Sequence, residues 1–332
     1  MGEGEAAQWS ALPMTGAELP AEFALIARHF RPLAGPGALD LADDAAVFSP
    51  PPGRALVVAA DAMVAGVHFL PDDPPETVGK KLLRVNLSDL AAMGAAPLGY
   101  LMTVSAPKAT PEAWFAAFAA GLAEDQARYG ISLLGGDTTS TPGPITLSLT
   151  ILGTVVPGQA IRRAGAKPGH GIWVTGTIGD AALGLAALQG RLADPTGYLA
   201  TRYRLPEPRL GLALAGIAEA GMDVSDGLVQ DLGHLCRAGG VGAEIDADTV
   251  PLSVAARAAG PEWLATCLTG GDDYELLLAV PAECEAALQA AGAGAGVPIT
   301  RIGRFIVGDS SVVIRRADGS PLRIERGGWS HF

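Results

Sequence analysis

Seven aspartates fall at the expected junctions of strands and loops: Asp44, Asp61, Asp137, Asp223, Asp226, Asp272 and Asp273. Such junctions are where α/β proteins place their functional groups. Several of the seven have glycine neighbours, which let a ligand or metal approach the backbone. One Gly-Gly-Asp alone reads as a turn, because Asp is a common turn former and helix cap. The set reads differently once Asp89 is added. Asp89 sits in an apolar segment with Leu87, Leu90, Ala91, Ala92 and Met93. A carboxylate buried there needs a cation or several donors to offset its lost hydration.

Many carboxylates and few bases suit Mg²⁺, a hard ion that prefers oxygen ligands and phosphates. The chain carries 35 acids against 23 bases, a net charge of −12. An anionic ligand would therefore be held through metal ions or backbone N–H groups. The nearest thing to a basic patch is the pair Arg162-Arg163, so nucleic acid is not an expected partner. Three cysteines, Cys236, Cys267 and Cys284, form no C-x-x-C pair and argue against a disulfide framework or a zinc site. Five histidines leave little material for a His-based hydrolase. The sequence has no EF-hand loop, no P-loop and no nucleophile elbow. Gly176-Thr177-Ile178-Gly179 reads as an ordinary strand-to-helix turn. No apolar run is long enough to span a bilayer. The first basic residue is Arg28, so the N-terminus lacks the charged start of a leader, and a cytoplasmic location is expected.

The elements that must position these groups follow from periodicity. At 332 residues, two domains are expected. With 5% aromatic residues, the cores must be built mainly from Ala, Leu, Val and Ile. Residues 1–18 read as a loose tail. Pro20 opens a helix carrying Phe23, Ile26, Ala27 and Phe30 on one stripe. Strands are expected at 45–48 and 55–60, a helix at 75–93 holding Asp89, a strand at 98–105 and a helix at 111–129. A strand at 131–134 should run into the loop Gly135-Gly136-Asp137, and a strand at 145–156 should close this half. The Gly/Pro-rich stretch 157–171 marks the boundary, giving domains 19–157 and 158–332. The second unit should contain strand 172–175, helix 180–188, helix 207–220, a short strand before Asp223 and a helix to about Arg237. A strand over 274–280 and alternating runs at 301–306 and 312–315 complete it.

The ordered runs resemble the thiamine-monophosphate kinases, within the superfamily typified by aminoimidazole ribonucleotide synthetase. They are Ala42-Asp43-Asp44-Ala45-Ala46, Asp61-Ala62-Met63-Val64-Ala65-Gly66-Val67-His68-Phe69 and Val85-Asn86-Leu87-Ser88-Asp89-Leu90-Ala91-Ala92-Met93-Gly94-Ala95. Then follow Gly135-Gly136-Asp137-Thr138-Thr139, Arg163-Ala164-Gly165-Ala166-Lys167-Pro168-Gly169, Val224-Ser225-Asp226-Gly227-Leu228 and Gly270-Gly271-Asp272-Asp273-Tyr274-Glu275-Leu276. The resemblance implies an α/β (α+β) chain of two aminoimidazole ribonucleotide synthetase-like domains. Each would have a mixed sheet with flanking helices. The N-terminal domains would pair into a homodimer with the nucleotide near that interface. It further implies transfer of a phosphoryl group from ATP to thiamine monophosphate. Several Mg²⁺ ions would be held by Asp44, Asp61, Asp89, Asp137 and Asp223, and a further one by Asp226. Gly136, Asp137, Arg163 and Ser225 would contact ATP, and His68, Asp272 and Trp329 the acceptor. By residue type alone, His68 reads equally as a packing histidine, and Trp329 as the lid of a small apolar cluster.

The chain departs from that family pattern at Ala59-Ala60, where hydroxyl residues are usual, and at Ala42, where glycine is usual. Two sister activities fit less well. A selenophosphate-synthetase-like role wants an N-terminal cysteine, and a hydrogenase-maturation role wants a C-terminal one; here the first cysteine is Cys236 and the chain ends in Phe332. Aminoimidazole ribonucleotide synthesis stays open as an alternative, with the runs 87–94 and 270–276 favouring the thiamine enzyme; so does a non-catalytic nucleotide- or metal-binding dimer, which predicts binding without turnover.

Overall fold

The computed structural model describes residues 21–324 and 327–329. The tail expected over 1–18 and the helix start at Pro20 lie outside the described residues. The expected long first helix is replaced by α1 (Ala21–Leu25), a π-helical turn over Ile26–Phe30 and a 3₁₀ turn over Arg31–Leu33. Pro32 lacks an N–H and ends regular α-helix there. The apolar stripe is accordingly split: Phe30 is buried while Phe23 is exposed. No strand forms over 45–48, which runs into Pro50-Pro51-Pro52, residues that cannot donate to a ladder.

The N-terminal domain contains β1 (Ala55–Val64), α2 (Pro75–Ala92), β2 (Ala96–Ala106), α3 (Glu112–Tyr129), β3 (Leu133–Ser140) and β4 (Thr146–Val155). Its sheet runs β1-β4-β2-β3, with β2 and β3 parallel and the other pairs antiparallel. One face packs Tyr100, Met102, Leu147, Leu149 and Ile151 with Leu83, Leu87, Phe118 and Leu122 of the two helices into one core. Glycine sets how closely those helices approach. A Cβ at Gly121 would lie 2.0 Å from the Glu76 carbonyl oxygen, and one at Gly79 would lie 2.4 Å from that of Phe118. The other sheet face leaves Leu56, Val58 and Leu101 exposed.

The C-terminal domain contains β5 (Gly171–Thr175), α4 (Asp180–Leu188), α5 (Tyr198–Arg204), β6 (Ala220–Asp223) and α6 (Leu228–Gly239). It continues with β7 (Gly242–Asp246), α7 (Val254–Ala259), α8 (Leu264–Thr269), β8 (Leu276–Val280), α9 (Glu285–Ala295), β9 (Ile299–Ile306) and β10 (Val312–Arg315). The sheet order is β10-β7-β9-β5-β8-β6, parallel only at β10-β7. Every residue of β5 and β8 is buried, as expected of strands covered on both faces. The helix expected over 207–220 does not form. Pro206 and Pro208 disfavour it, and Gly211 and Gly216 take positive φ. Leu212 and Leu214 reach the core from irregular chain instead. Among the described residues, no helix is long and apolar enough to cross a membrane.

Candidate active site between the two domains

A cleft of about 810 Å³ lies between the domains. It is lined by Asp61, His68 and Asp89 from the N-terminal side, Arg163 from the connection, and Asp223, Ser225, Asp226, Asp272 and Trp329 from the C-terminal side. Asp61 lies inside β1 rather than just after it, which corrects the expected strand end. Its backbone N–H donates to Asn86 Oδ1 of α2 at 3.2 Å. Strand alternation puts Ala59 on the same face as Asp61, packed against the domain core, while Ala60 faces outward and is exposed. Asp89 projects from the C-terminal half of α2, and Asp223 is the last residue of β6.

These carboxylates face one another. Burial raises the Asp61 carboxyl above its usual range, and the charge of Asp226 adds to the shift. Burial also raises Asp89, as do the charges of Asp223 and Asp61, against the pull of Arg163. Asp223 is raised by burial and by Asp61, and a hydrogen bond from Ser88 opposes this. A cluster that holds protons this strongly is short of positive charge, and its donors are all carboxylate oxygens. Divalent hard cations fit that donor set. Among the described residues, no three acidic, His or Cys side chains sit close enough to hold one ion unaided. Mg²⁺ commonly takes one or two carboxylates and completes its shell with phosphate oxygens and water.

The remaining expected groups sit elsewhere. Asp44, Gly136 and Asp137 line a second hollow of about 620 Å³, beside Leu101 and Leu152 of the sheet. Gly135-Gly136-Asp137 is not a loop after a strand but part of β3, paired with Leu101, Met102 and Thr103 of β2. Only glycine fits at 136, where a Cβ would lie 1.7 Å from the Met102 carbonyl oxygen.

Residues 42–155 match the family model described as AIR synthase related protein, N-terminal domain, and residues 167–316 match its C-terminal domain. The chain is 46% identical over 323 residues to the thiamine-monophosphate kinase of Caulobacter vibrioides, covering 94% of this chain and 91% of that one. This chain belongs to the thiamine-monophosphate kinase family. The solved thiamine-monophosphate kinase of Stenotrophomonas maltophilia K279a is similar at a TM-score of 0.80 and 42% identity, covering 91% of this chain and 98% of that one. A second solved structure, AaThiL complexed with AMPPCP and TMP, is similar at a TM-score of 0.74 and 30% identity, covering 87% of this chain and 91% of that one. The two-domain architecture with mixed sheets is thus the fold of the family.

Three supports of this cleft were not read from the sequence. Asp231 Oδ2 accepts the backbone N–H groups of Ser225, Asp226 and Gly227 at 3.0, 3.0 and 3.2 Å, so one carboxylate shapes the whole loop. Its place in the first turn of α6, four residues past Gly227, was the available signal. Ser88 Oγ donates to Asp223 Oδ2 at 2.7 Å. Lys81 Nζ donates to the His68 carbonyl at 2.9 Å and to Asp272 Oδ2 at 3.0 Å. The two consecutive aspartates of the last motif also part company. Asp272 lines the cleft, while Asp273 is fully buried and accepts from Gly179 N at 2.7 Å at the start of α4. The turn 176–179 therefore meets a carboxylate of its own chain, as an ordinary strand-to-helix turn would.

Proposed function

We propose that this protein transfers the γ-phosphoryl group of ATP to thiamine monophosphate, giving thiamine diphosphate. One observation carries the reading: Asp61, Asp89, Asp223 and Asp226 face one another in the interdomain cleft that also contains His68, Asp272 and Trp329. The relative with AMPPCP and TMP supports the same pair of ligands.

The acceptor is itself a phosphate, with a second pKa of about 6, so it is ionised at neutral pH and needs no strong general base. The difficulty is to bring two polyanions together in line. Mg²⁺ bound by Asp44, Asp61, Asp89, Asp137, Asp223 and Asp226 would screen their charge and fix their alignment. In our reading Gly136, Asp137, Arg163 and Ser225 contact the nucleotide. The backbone N–H of Val64 donates to His68 Nδ1 at 3.0 Å. That contact leaves the proton of the neutral imidazole on Nε2, a donor suited to the acceptor phosphate. Trp329 is 54% exposed in the cleft and offers a ring face to the thiamine rings. Its backbone N–H donates to the Asp226 carbonyl at 3.0 Å, and its own carbonyl accepts from Gln230 Nε2. Those two bonds fix the Trp329 backbone beside the Asp226 loop.

Pairing of two N-terminal domains into a homodimer is part of the proposal. Its support is the uncovered apolar sheet face at Leu56, Val58 and Leu101. The hollow holding Asp44 and Asp137 borders that face through Leu101 and Leu152, consistent with a nucleotide near the interface. We also place the domain boundary near 157/158, between β4 and β5, and the protein in the cytoplasm. The test is ADP release by purified protein with ATP and Mg²⁺, with and without thiamine monophosphate. Release that depends on the acceptor is expected; release indifferent to it would sink the reading.

A further inference from the structure

Burying a lysine ammonium is costly unless its donors are matched. The Lys81 side chain is 3% exposed, and its ammonium makes three contacts. It donates to the carbonyl of His68 in the N-terminal domain and to Asp272 Oδ2 in the C-terminal domain. It also stands 3.9 Å above the ring centre of Tyr203 on α5. The other oxygen of Asp272 accepts from the Tyr274 hydroxyl at 3.3 Å. Asp272 itself holds φ near +71°, a conformation that a non-glycine residue adopts only when its surroundings enforce it. His68 is likewise pinned twice, at its ring by Val64 N–H and at its carbonyl by Lys81.

Holding the domains together does not require this contact. Arg84, one turn further along α2, donates to Asp125 at 2.6 and 2.9 Å and reaches Glu207 and the Pro206 carbonyl across the boundary. Arg204 binds Asp73 at 2.6 Å, and Ser88 binds Asp223. Lys81 differs from all of these. The two oxygens it holds belong to the two residues placed at the acceptor, and Lys81 itself lines the cleft.

We propose that Lys81 is the positioning residue of the acceptor site. One ammonium fixes the separation of His68 and Asp272, and thereby sets the protein's affinity for thiamine monophosphate without setting its affinity for ATP. The proposal rests on the kinase reading above. Methionine at 81 keeps the stem and removes both hydrogen bonds.

The experiment is steady-state kinetics of wild type, Lys81→Met and Lys81→Arg, each substrate varied in turn with thermal melts alongside. Lys81→Met is expected to raise the KM for thiamine monophosphate by about tenfold or more, the loss typical of a hydrogen bond to a charged group. The KM for ATP should stay within about twofold, since uniform loss of packing would move both. An unchanged KM for thiamine monophosphate, or an equal rise for both substrates, would overturn the proposal. Where Lys81→Met folds poorly, Lys81→Arg decides. A planar guanidinium cannot set one nitrogen between both oxygens over a ring, so the same selective rise is expected, smaller in size. Absence of it overturns the proposal. Wild type that releases no ADP in response to thiamine monophosphate would reject the kinase reading itself, a result distinct from any behaviour of the variants.

Discussion

Ser88 and Asp223 are joined by a 2.7 Å hydrogen bond, both nearly inaccessible to solvent, so α2 of the N-terminal domain is bonded to the end of β6 in the C-terminal domain. The bond favours the charged form of Asp223 against the burial that disfavours it. Replacing Ser88 by Ala should cost about 1 to 2 kcal/mol of stability. It should also push the Asp223 carboxyl further up. Activity at pH 6 should then fall more than activity at pH 8, and a pH–rate profile of the variant against wild type checks this.

The raised carboxylates make metal-free stability depend on pH. The folded protein holds protons on Asp61, Asp89, Asp223 and Asp231 at pH values where the unfolded chain has lost them. Stability from this source is present at low pH and is lost as pH rises through the folded-state values, which for Asp231 is about 7. His170 and His234 are lowered by burial and act in the opposite direction below their usual value of 6.5. Chelated protein should therefore melt higher at pH 6.5 than at pH 8. Added Mg²⁺ should narrow the gap by stabilising the protein most at pH 8. Thermal melts with EDTA and with Mg²⁺ test both statements.

Asp231→Ala leaves three loop N–H groups without their acceptor. A loss of about 2 kcal/mol or more is expected, with weaker ATP binding because Ser225 and Asp226 lose their loop geometry. Asp231→Asn keeps an acceptor oxygen at the same place and should retain most of both. Urea unfolding and nucleotide titration of the two variants give the comparison.

Two adjacent glycines should behave differently. Alanine at 136 would press a methyl into the Met102 carbonyl, at 1.7 Å, and break the β2–β3 pairing beside Asp137. Alanine at 135 meets only Leu101 Cδ2 at 3.4 Å. Gly136→Ala should destabilise by about 3 kcal/mol or fail to fold, and Gly135→Ala by well under about 1 kcal/mol. Melting temperatures of the pair decide it.

Part of the candidate cleft was legible because a residue in it breaks local rules. Asp89 among apolar neighbours has no reading as a turn or cap, and the structure places it in the cleft facing Asp61 and Asp223. Helices with one apolar stripe and clear stops, such as α2 and α3, were legible to within one residue at each end. The stretch before β6 was not. Its spaced leucines imitate a helix, and the prolines and positive-φ glycines decide otherwise. Lys81 was illegible for a geometric reason. Successive helix positions point about 100° apart, so Lys80 pairs with Glu124 on the surface while Lys81 turns into the cleft. Both of its hydrogen-bond partners come from outside its own turn, one of them 191 residues away in sequence. Asp272 and Asp273 diverge in the same way: positive φ at Asp272 sends one carboxylate to the cleft and the next into the core.

The most direct measurement follows the transferred group. Protein is mixed with ATP labelled at the γ-phosphate, Mg²⁺ and thiamine monophosphate, and the products are separated. The account predicts that the label appears in the terminal phosphate of thiamine diphosphate, one for each ADP formed. Label recovered as inorganic phosphate with thiamine monophosphate unchanged would contradict it.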